Sequence, residues 1–316
     1  MCWEASSGKH EMSIIYRHGK SEDLTDVQTV VAAAFNDLNE RRGFGASFGS
    51  NSSPPNPFFG FALERQPDGF WVAEDNGRVV GFSISQLYGS FWFLAYLFVM
   101  PDHQGKGLGR ELLKRTGELG AGIPVTNRAL ITFAYNPESI SLYMKHGLYP
   151  CQSVYWVTGA GEEVGARLGD KPDRGVLEPI APGKTASALL GSLDAEVLGV
   201  NRTLLHEFLL GEQGSACYLY RQRGDAAGYA YIWTNGRIGP LAALTSAVFT
   251  EVTRNALQLA VAQSAPEIFT NLAGSNEQAV ALTLGSGMRI VYPFLLMAAK
   301  PFGDWSRYLF HSPGLM

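Results

Sequence analysis

Pro101-Asp102-His103-Gln104-Gly105-Lys106-Gly107-Leu108-Gly109-Arg110 places a glycine at every second position from Gly105 to Gly109. An amphipathic helix over Arg110–Leu119 is predicted directly after it. Glycines allow a ligand to approach the backbone closely, and the first amides of a helix point outward at the positive end of its dipole. Lys106 and Arg110 add positive charge. The stretch therefore predicts a site for a phosphate or pyrophosphate.

The spacing of this loop excludes two common nucleotide sites. A Walker loop requires Ser or Thr after Gly-Lys, where this chain has Gly107. A dinucleotide GxGxxG loop requires glycine where Arg110 or Leu112 stands. Neither ATP nor NAD is indicated, and the remaining alternative is a tight turn that caps a helix without a ligand.

The residues around the loop predict alternating strands and helices. Phe91–Val99 is rich in aromatic and aliphatic residues and predicts a buried strand that leads into the loop. Asn76-Gly77 is a strong signal for a tight hairpin. Gly43–Gly60 is crowded with Gly, Ser, Asn and Pro and predicts a long irregular loop. The other predicted elements are a strand Ser13–Tyr16, a helix Leu24–Phe35, strands Phe70–Glu74 and Val79–Gln86, a strand Ala129–Tyr135, a helix Pro137–His146 and a strand Ser153–Thr158.

Two segments together resemble the GNAT superfamily of N-acetyltransferases. Val99–Gly109 is similar to its motif A, Gln/Arg-x-x-Gly-x-Gly/Ala after a buried strand, and Gln104, Gly107 and Gly109 match that pattern. Asn136–Leu148 is similar to its motif B, in which an Asn precedes a short helix that ends in Leu-Tyr and is followed by Gly and a hydrophobic residue. The motifs occur in the family's order, and the resemblance covers roughly Ser13–Thr158.

The resemblance implies acetyl-CoA as co-substrate and direct transfer of its acetyl group to an amine. Tyr143 would act as the general acid that protonates the departing CoA thiolate. A phenol has a reference pKa near 10 and is protonated at neutral pH. The residues that the resemblance assigns to the coenzyme are Leu97, Phe98 and Val99 along the pantetheine arm, Gln104, Gly105, Lys106, Gly107, Leu108, Gly109 and Arg110 around the pyrophosphate, and Asn136 at the arm.

The chain departs from many relatives in its lack of an obvious general base. That base is often a carboxylate on the strand before motif A, but Phe91–Val99 contains no Asp, Glu or His. The open candidates are Glu74, Asp75, Asp37, Glu40 and a water relay past Tyr96. His103 and His146 have no metal-like partners and are expected to be surface or capping residues, so no metal is predicted.

The second half of the chain carries a faint copy of the first. A shift of 140 in numbering aligns Asn136 with Asn276, Leu142 with Leu282 and Gly147 with Gly287. We therefore predict an α/β (α+β) chain of two GNAT-like domains, each a mixed, mostly antiparallel central sheet flanked by helices. The predicted division is a catalytic domain over 12–158, a linker over 159–184 and a degenerate GNAT-like domain over 185–316.

Only the first half is expected to bind coenzyme. The shift places Gln104–Gly109 on Leu244–Phe249, and Leu241–Leu257 contains no glycine. Tyr143 falls on Thr283, whose hydroxyl is a weaker acid. The second half is therefore expected to act as a structural partner.

Composition narrows the partners and the compartment. A net charge of -4 gives no attraction to nucleic acid or acidic lipid. No signal peptide or membrane span is expected, and the widely spaced Cys2, Cys151 and Cys217 indicate a reducing cytoplasm. The predicted function is acetyl transfer to a primary amine of a small molecule. The alternatives are a CoA-binding sensor or scaffold without turnover, or an acyltransferase for a longer acyl-CoA or a protein N-terminus, and the oligomeric state stays open.

Overall fold

The computed structural model describes residues 13–45, 54–169 and 177–316. These residues group into two compact units. The first unit holds the described residues up to Ile84 together with Tyr96–Leu119, and the second holds Ser85–Ala95 and Gly120–Met316. Two long strands continue from one unit into the other, so the units do not coincide with the two halves of the sequence.

The first unit has an antiparallel sheet in the order β1–β2–β3. Its elements are β1 (Ile14–His18), α1 (Leu24–Arg41), α2 (Pro57–Arg65), β2 (Phe70–Asp75), most of β3 (Arg78–Tyr88), the end of β4 (Phe91–Val99) and α3 (Leu108–Thr116). The predicted hairpin turn is present, since Asn76 and Gly77 have φ values of 50° and 80°. Such left-handed pairs match the twist of the strands that they join.

Helix α3 packs on one face of these strands. Ala73 and Val80 form a core cluster with Leu108 and Leu112 of the helix. Successive strand residues point to opposite faces, so Leu97 and Val99 pack against this cluster while Phe98 lies beside the rings of Phe82 and Tyr96. This packing holds α3 against the strands, so that its N-terminus follows the loop after β4.

The second unit holds a larger sheet in the order β4–β5–β12–β6–β11–β13–β10–β9–β8–β7. The pairings β4–β5 and β10–β11 are parallel, and the other described pairings in this unit are antiparallel. Its remaining elements are β5 (Asn127–Phe133), α4 (Pro137–Lys145), β6 (Tyr149–Ala160), α5 (Gly161–Leu168), β7 (Leu177–Pro179), α6 (Lys184–Leu198), α7 (Thr203–Gly211), β8 (Ser215–Gln222), β9 (Asp225–Trp233), β10 (Arg237–Ala243), α8 (Ser246–Ala262), β11 (Glu267–Ala273), α9 (Glu277–Gly285), β12 (Arg289–Ala298) and β13 (Tyr308–Phe310).

The internal repeat is confirmed at the level of local structure. The shift of 140 carries β5 onto β11 and α4 onto α9 with identical bounds. Asn136 caps α4 through Ser139 N, and Asn276 caps α9 through Ala279 N. Each helix is followed, two residues after its last residue, by a glycine with positive φ, Gly147 or Gly287. Asn at the N-cap and glycine after the last turn give both copies the same helix boundaries.

The two halves exchange strands β6 and β12. Strand β12 of the second half lies between β5 and β6 of the first half, and β6 lies between β12 and β11. The register pairs Phe294 with both Phe133 and Val154, and Asn271 with Trp156. Each half therefore completes its sheet with main-chain hydrogen bonds from the other.

We predict that a fragment ending after Ala160 does not fold on its own. It keeps β5 and β6 but loses β12, the strand between them, and each loses a row of ladder partners. Circular dichroism and thermal melting should show no cooperative transition. Coexpression with a fragment over 161–316 should restore a soluble complex, whereas a monomeric fragment that melts cooperatively would contradict the prediction.

The structure differs from the sequence expectations in two loops. Part of the predicted loop Gly43–Gly60 is helical, because Asn56 accepts a hydrogen bond from Phe58 N and caps α2, with Pro57 at its first position. Residues 46–53 of that loop lie outside the described residues. The predicted linker over 159–184 contains α5, whose Val164 is fully buried. Residues 170–176 also lie outside the described residues, and the domain boundaries at 158 and 185 stay a prediction.

Candidate active site

The glycine-rich loop joins β4 to α3 in the first unit. It covers Met100–Gly107, and the helix begins at Leu108 rather than at the predicted Arg110. Gly105 and Gly107 have φ values of 74° and 91°, a region that side chains rarely adopt. An added Cβ on Gly105 would meet no atom within 4 Å. The loop is therefore open above its backbone, as a phosphate site requires.

The first turn of α3 is left without a side-chain cap. Its N-cap is Gly107, which has no side chain to accept a hydrogen bond from the helix amides. The guanidinium of Arg110 folds back to 3.6 Å from the place where a Cβ of Gly107 would lie. Gly109, the second residue of the helix, lies in the same first turn and also has no side chain. Outward amides and an adjacent cation are the features that bind a phosphate at a helix N-terminus.

Helix α8, the counterpart of α3 in the second half, has the opposite arrangement. It follows β10 after only Leu244 and Thr245, and the Thr245 hydroxyl accepts a hydrogen bond from Val248 N at 3.3 Å. The shift of 140 places Gln104–Gly109 on Leu244–Phe249, but the structure puts Ser246–Phe249 inside the helix. The ungapped alignment is wrong at this loop, because the second half has lost most of the connection.

The side chain of Gln104 stabilises the loop through two hydrogen bonds. Its Nε2 donates to the main-chain oxygen of Val99 at 3.0 Å, and its Oε1 accepts from Arg41 at 3.4 Å. Arg41, on the last turn of α1, also pairs with Asp37. Sequence reasoning missed Arg41, because sixty-three positions separate it from Gln104 and no local pattern links them.

In the second unit, Asn136 precedes α4 as its N-cap and Tyr143 lies within the helix. The Asn136 side-chain oxygen accepts a hydrogen bond from Ser139 N at 3.1 Å and caps the helix. Tyr143 is 5% exposed, and burial raises the pKa of its phenol above the ordinary value. Its hydroxyl has no hydrogen-bond partner among the residues that the structure describes. The side chain is therefore protonated and has its proton available to donate.

Several base candidates have partners in the structure. Glu74 forms an ion pair with Arg17, Asp75 lies 3.1 Å from His103, and Asp37 pairs with Arg41. The Tyr96 hydroxyl accepts from Asn56 Nδ2 at 3.2 Å. Glu40 and a water relay past Tyr96 stay open alongside these carboxylates.

His103 bridges two carboxylates at the start of the loop. Its ring nitrogens lie 2.7 Å from Asp102 and 3.1 Å from Asp75. The hydrogen bond from His103 lowers the pKa of the Asp102 carboxyl. The part of the chain that the structure describes holds no group of three or more His, Cys, Asp or Glu residues placed to bind a metal.

Comparison with known proteins agrees with this loop and helix. Residues 33–148 match the Acetyltransferase (GNAT) family. The chain carries a GNAT acetyltransferase domain. GNAT acetyltransferases use acetyl-CoA as co-substrate and transfer its acetyl group to an acceptor, so the protein is an acyltransferase.

The whole chain also resembles solved GNAT structures. A putative acetyltransferase from Pyrococcus horikoshii aligns with a TM-score of 0.68 at 20% identity, over 96% of this chain and 94% of that one. A tandem GNAT protein from the clavulanic acid biosynthesis pathway aligns with a TM-score of 0.60 at 15% identity, over 92% and 99% of the two chains. A GCN5-related N-acetyltransferase from Sphaerobacter thermophilus aligns with a TM-score of 0.60 at 14% identity, over 93% and 98%. At these identities the similarity shows the fold, and it confirms the prediction of two GNAT-like halves.

The GNAT chemistry fits the residues present. The open loop suits the diphosphate of a coenzyme, and Cys151 is a poor nucleophile because burial raises the pKa of its thiol. Within the described ranges, no helix is long and apolar enough to cross a membrane.

Proposed function

We propose that the protein transfers the acetyl group of acetyl-CoA directly to a primary amine of a small molecule. The observation that carries the proposal is the uncapped N-terminus of α3, where Gly105 and Gly107 expose the backbone and Arg110 lies over it. A helix end of this kind favours a pyrophosphate. The counterpart helix α8 is capped by Thr245, which supports one coenzyme per chain, in the first half.

The proposed coenzyme residues follow the GNAT motifs. Gln104–Arg110 wrap the pyrophosphate, mostly through main-chain amides because the Gln104 side chain is engaged with Val99. The main chain of Leu97–Val99 pairs with the pantetheine arm. Asn136 contributes Nδ2, since its oxygen already accepts from Ser139.

The proposed reaction is a direct displacement. The amine nitrogen attacks the thioester carbonyl carbon, the carbon–sulfur bond breaks, and the leaving sulfur takes the phenolic proton of Tyr143. Because burial raises the pKa of this phenol, it holds its proton at neutral pH until the thiolate forms. The proton lost by the amine passes to a base or through water, with Tyr96 as one of the open routes.

An aromatic cluster supports a small acceptor. The half-buried rings of Tyr96 and Phe98 lie 6.3 Å apart between centroids on the face of β4 opposite α3, and Tyr96 packs on the fully buried Phe58 and Phe59. Apolar rings favour a compact organic amine over a polycationic tail, whose charges would be desolvated there. The free thiols Cys151 and Cys217 support a reducing cytoplasm as the compartment.

A panel of amines, amino acids, polyamines and aminoglycosides, with detection of free thiol, tests this function. Acetyl-CoA is expected to release thiol in the presence of at least one small amine, and mass spectrometry should find that amine heavier by one acetyl group. Release only with longer acyl-CoA, or only with peptide N-termini, would favour the broader acyltransferase alternative. Tight CoA binding without any thiol release would favour a sensor or scaffold.

A further inference from the structure

A short strand near the end of the sequence lies between the two strands of the second half that correspond to β4 and β5. Strands β10 and β11 pair in parallel at Arg237–Phe269 and Ile238–Thr270. Beyond these pairs β13 enters between them. Its Leu309 is in register with Leu241 on one side and with Leu272 on the other.

The described residues of the first half contain no counterpart of β13. Strand β5 pairs with β4 up to Leu130, and the same edge continues as Ile131–Phe133. The shift of 140 carries Ile131 onto Asn271 and Thr132 onto Leu272, the residues that pair with β13. After β6 the first half turns into α5, whereas the second half returns to its own sheet after β12. In the second half β13 pairs with this edge, whereas no strand among the described residues pairs with Ile131–Phe133 on the β4 side in the first half.

Side chains hold the segment around β13, which we call the β13 segment (Trp305–Met316). Asn276, the counterpart of Asn136, donates through Nδ2 to the main-chain oxygen of Trp305 at 3.1 Å. Arg307 bonds the main-chain oxygen of Leu244, in the shortened connection before α8. Arg237 and Asn271 both donate to the main-chain oxygen of His311, at 2.9 and 3.2 Å.

The far end of the β13 segment is held in a buried polar cluster. Arg202 bonds the main-chain oxygen of Met316, and the Tyr308 hydroxyl donates to the same oxygen at 3.0 Å. Arg202 pairs with Asp194 at 2.8 Å, and both are fully buried. His206 lies 2.7 Å from the same carboxylate. A buried cation with these partners is costly to leave unpaired, so the contact favours a seated segment.

Glycine makes the close approach of this segment feasible. Gly239 on β10 has a φ of 122°, and an added Cβ would clash with the main-chain oxygen of Phe310. Leu309 and Phe310 are almost completely buried. The slot between β10 and β11 is therefore shaped around a peptide main chain.

We propose that the β13 segment is a tethered peptide ligand, which occupies in the second half the slot that the amide-containing arm of the coenzyme takes in the first. The comparison with the coenzyme arm in the first half rests on the proposed function. Independently of that function, the second half contains a slot between β10 and β11 that binds an extended peptide chain, and residues of the same polypeptide occupy it. The second half then needs no coenzyme to complete its sheet.

Hydrogen–deuterium exchange on the full chain, with and without CoA, tests the proposal. Without CoA, peptides over Glu267–Ala273 and over the β13 segment should exchange slowly, while those over Ile131–Phe133 exchange faster. CoA should slow exchange at Ile131–Phe133 and leave the β13 segment unchanged. If CoA slows no exchange in the first half, the proposed function fails while protection of the β13 segment still supports the tethered ligand.

Two variants release the segment to different degrees. Gly239→Ala should expel β13, and Tyr308→Phe should weaken its far end while keeping the ring. Tyr220→Phe, which removes an exposed hydrogen bond to Glu251, is the matched control. Tyr308→Phe should raise exchange over the β13 segment at least several-fold, with one CoA still bound per chain by equilibrium dialysis. Free exchange of that segment in the wild type, or a second CoA bound in either protein, would overturn the proposal.

Discussion

Gly107→Val is expected to abolish binding of CoA to the folded protein. The valine side chain would occupy the space above the first amides of α3, where the pyrophosphate is proposed to bind, and it would press on the guanidinium of Arg110. Loss of two hydrogen bonds to a charged group, at about 1.5–3 kcal/mol each, weakens binding by roughly 10² to 10⁴. Isothermal titration calorimetry with CoA measures this loss directly.

Backbone strain needs its own control, because Gly107 has a φ of 91°. Gly122 has a φ of 93°, is exposed, and has no atom within 4 Å of an added Cβ. Gly122→Val carries a similar strain of about 1–3 kcal/mol and should bind CoA like the wild type. Wild-type affinity in a folded Gly107→Val protein would contradict the assignment of the loop.

Tyr143→Phe should leave coenzyme affinity nearly unchanged and lower turnover by roughly 10² to 10⁴, the range for a lost general acid. Phenylalanine keeps the buried ring and removes only the proton donor. Because burial raises the pKa of the Tyr143 phenol, deprotonation of this group should not reduce the wild-type rate between neutral pH and its ordinary value of 10.0. Rates should be measured by thiol release under conditions where the chemical step limits turnover.

A matched variant separates chemistry from packing at Tyr143. Tyr149→Phe removes a hydroxyl from a 55% exposed tyrosine on β6 and should keep full activity. A fall in melting temperature without a fall in kcat for Tyr143→Phe would make Tyr143 a packing residue. If both kcat and stability were unchanged in Tyr143→Phe, the Tyr143 hydroxyl would be neither the general acid nor a determinant of packing.

Features of the protein that depend on local chemistry can be predicted from its amino-acid sequence alone. Asn76-Gly77 encodes a turn that needs two positive φ values, and Gly105 and Gly107 encode a loop that side chains would strain. Asn136 and Gly147 bracket a helix, and their repeats at Asn276 and Gly287 bracket its copy. In each case a few neighbouring residues fix the backbone, so the pattern can be read without knowing what packs against it.

Long-range packing determines which distant segments of the chain pair with one another. Nothing in the sequence of β12 favours pairing with β5 over pairing with β11, the strand that precedes β12 in the chain. Apolar strands of similar length pair through identical main-chain groups. The same holds for β13, whose partners on β10 and β11 are chosen by a slot that exists only after the sheet forms. Strand exchange and the seated β13 segment are therefore properties of long-range packing, which local residue patterns do not specify.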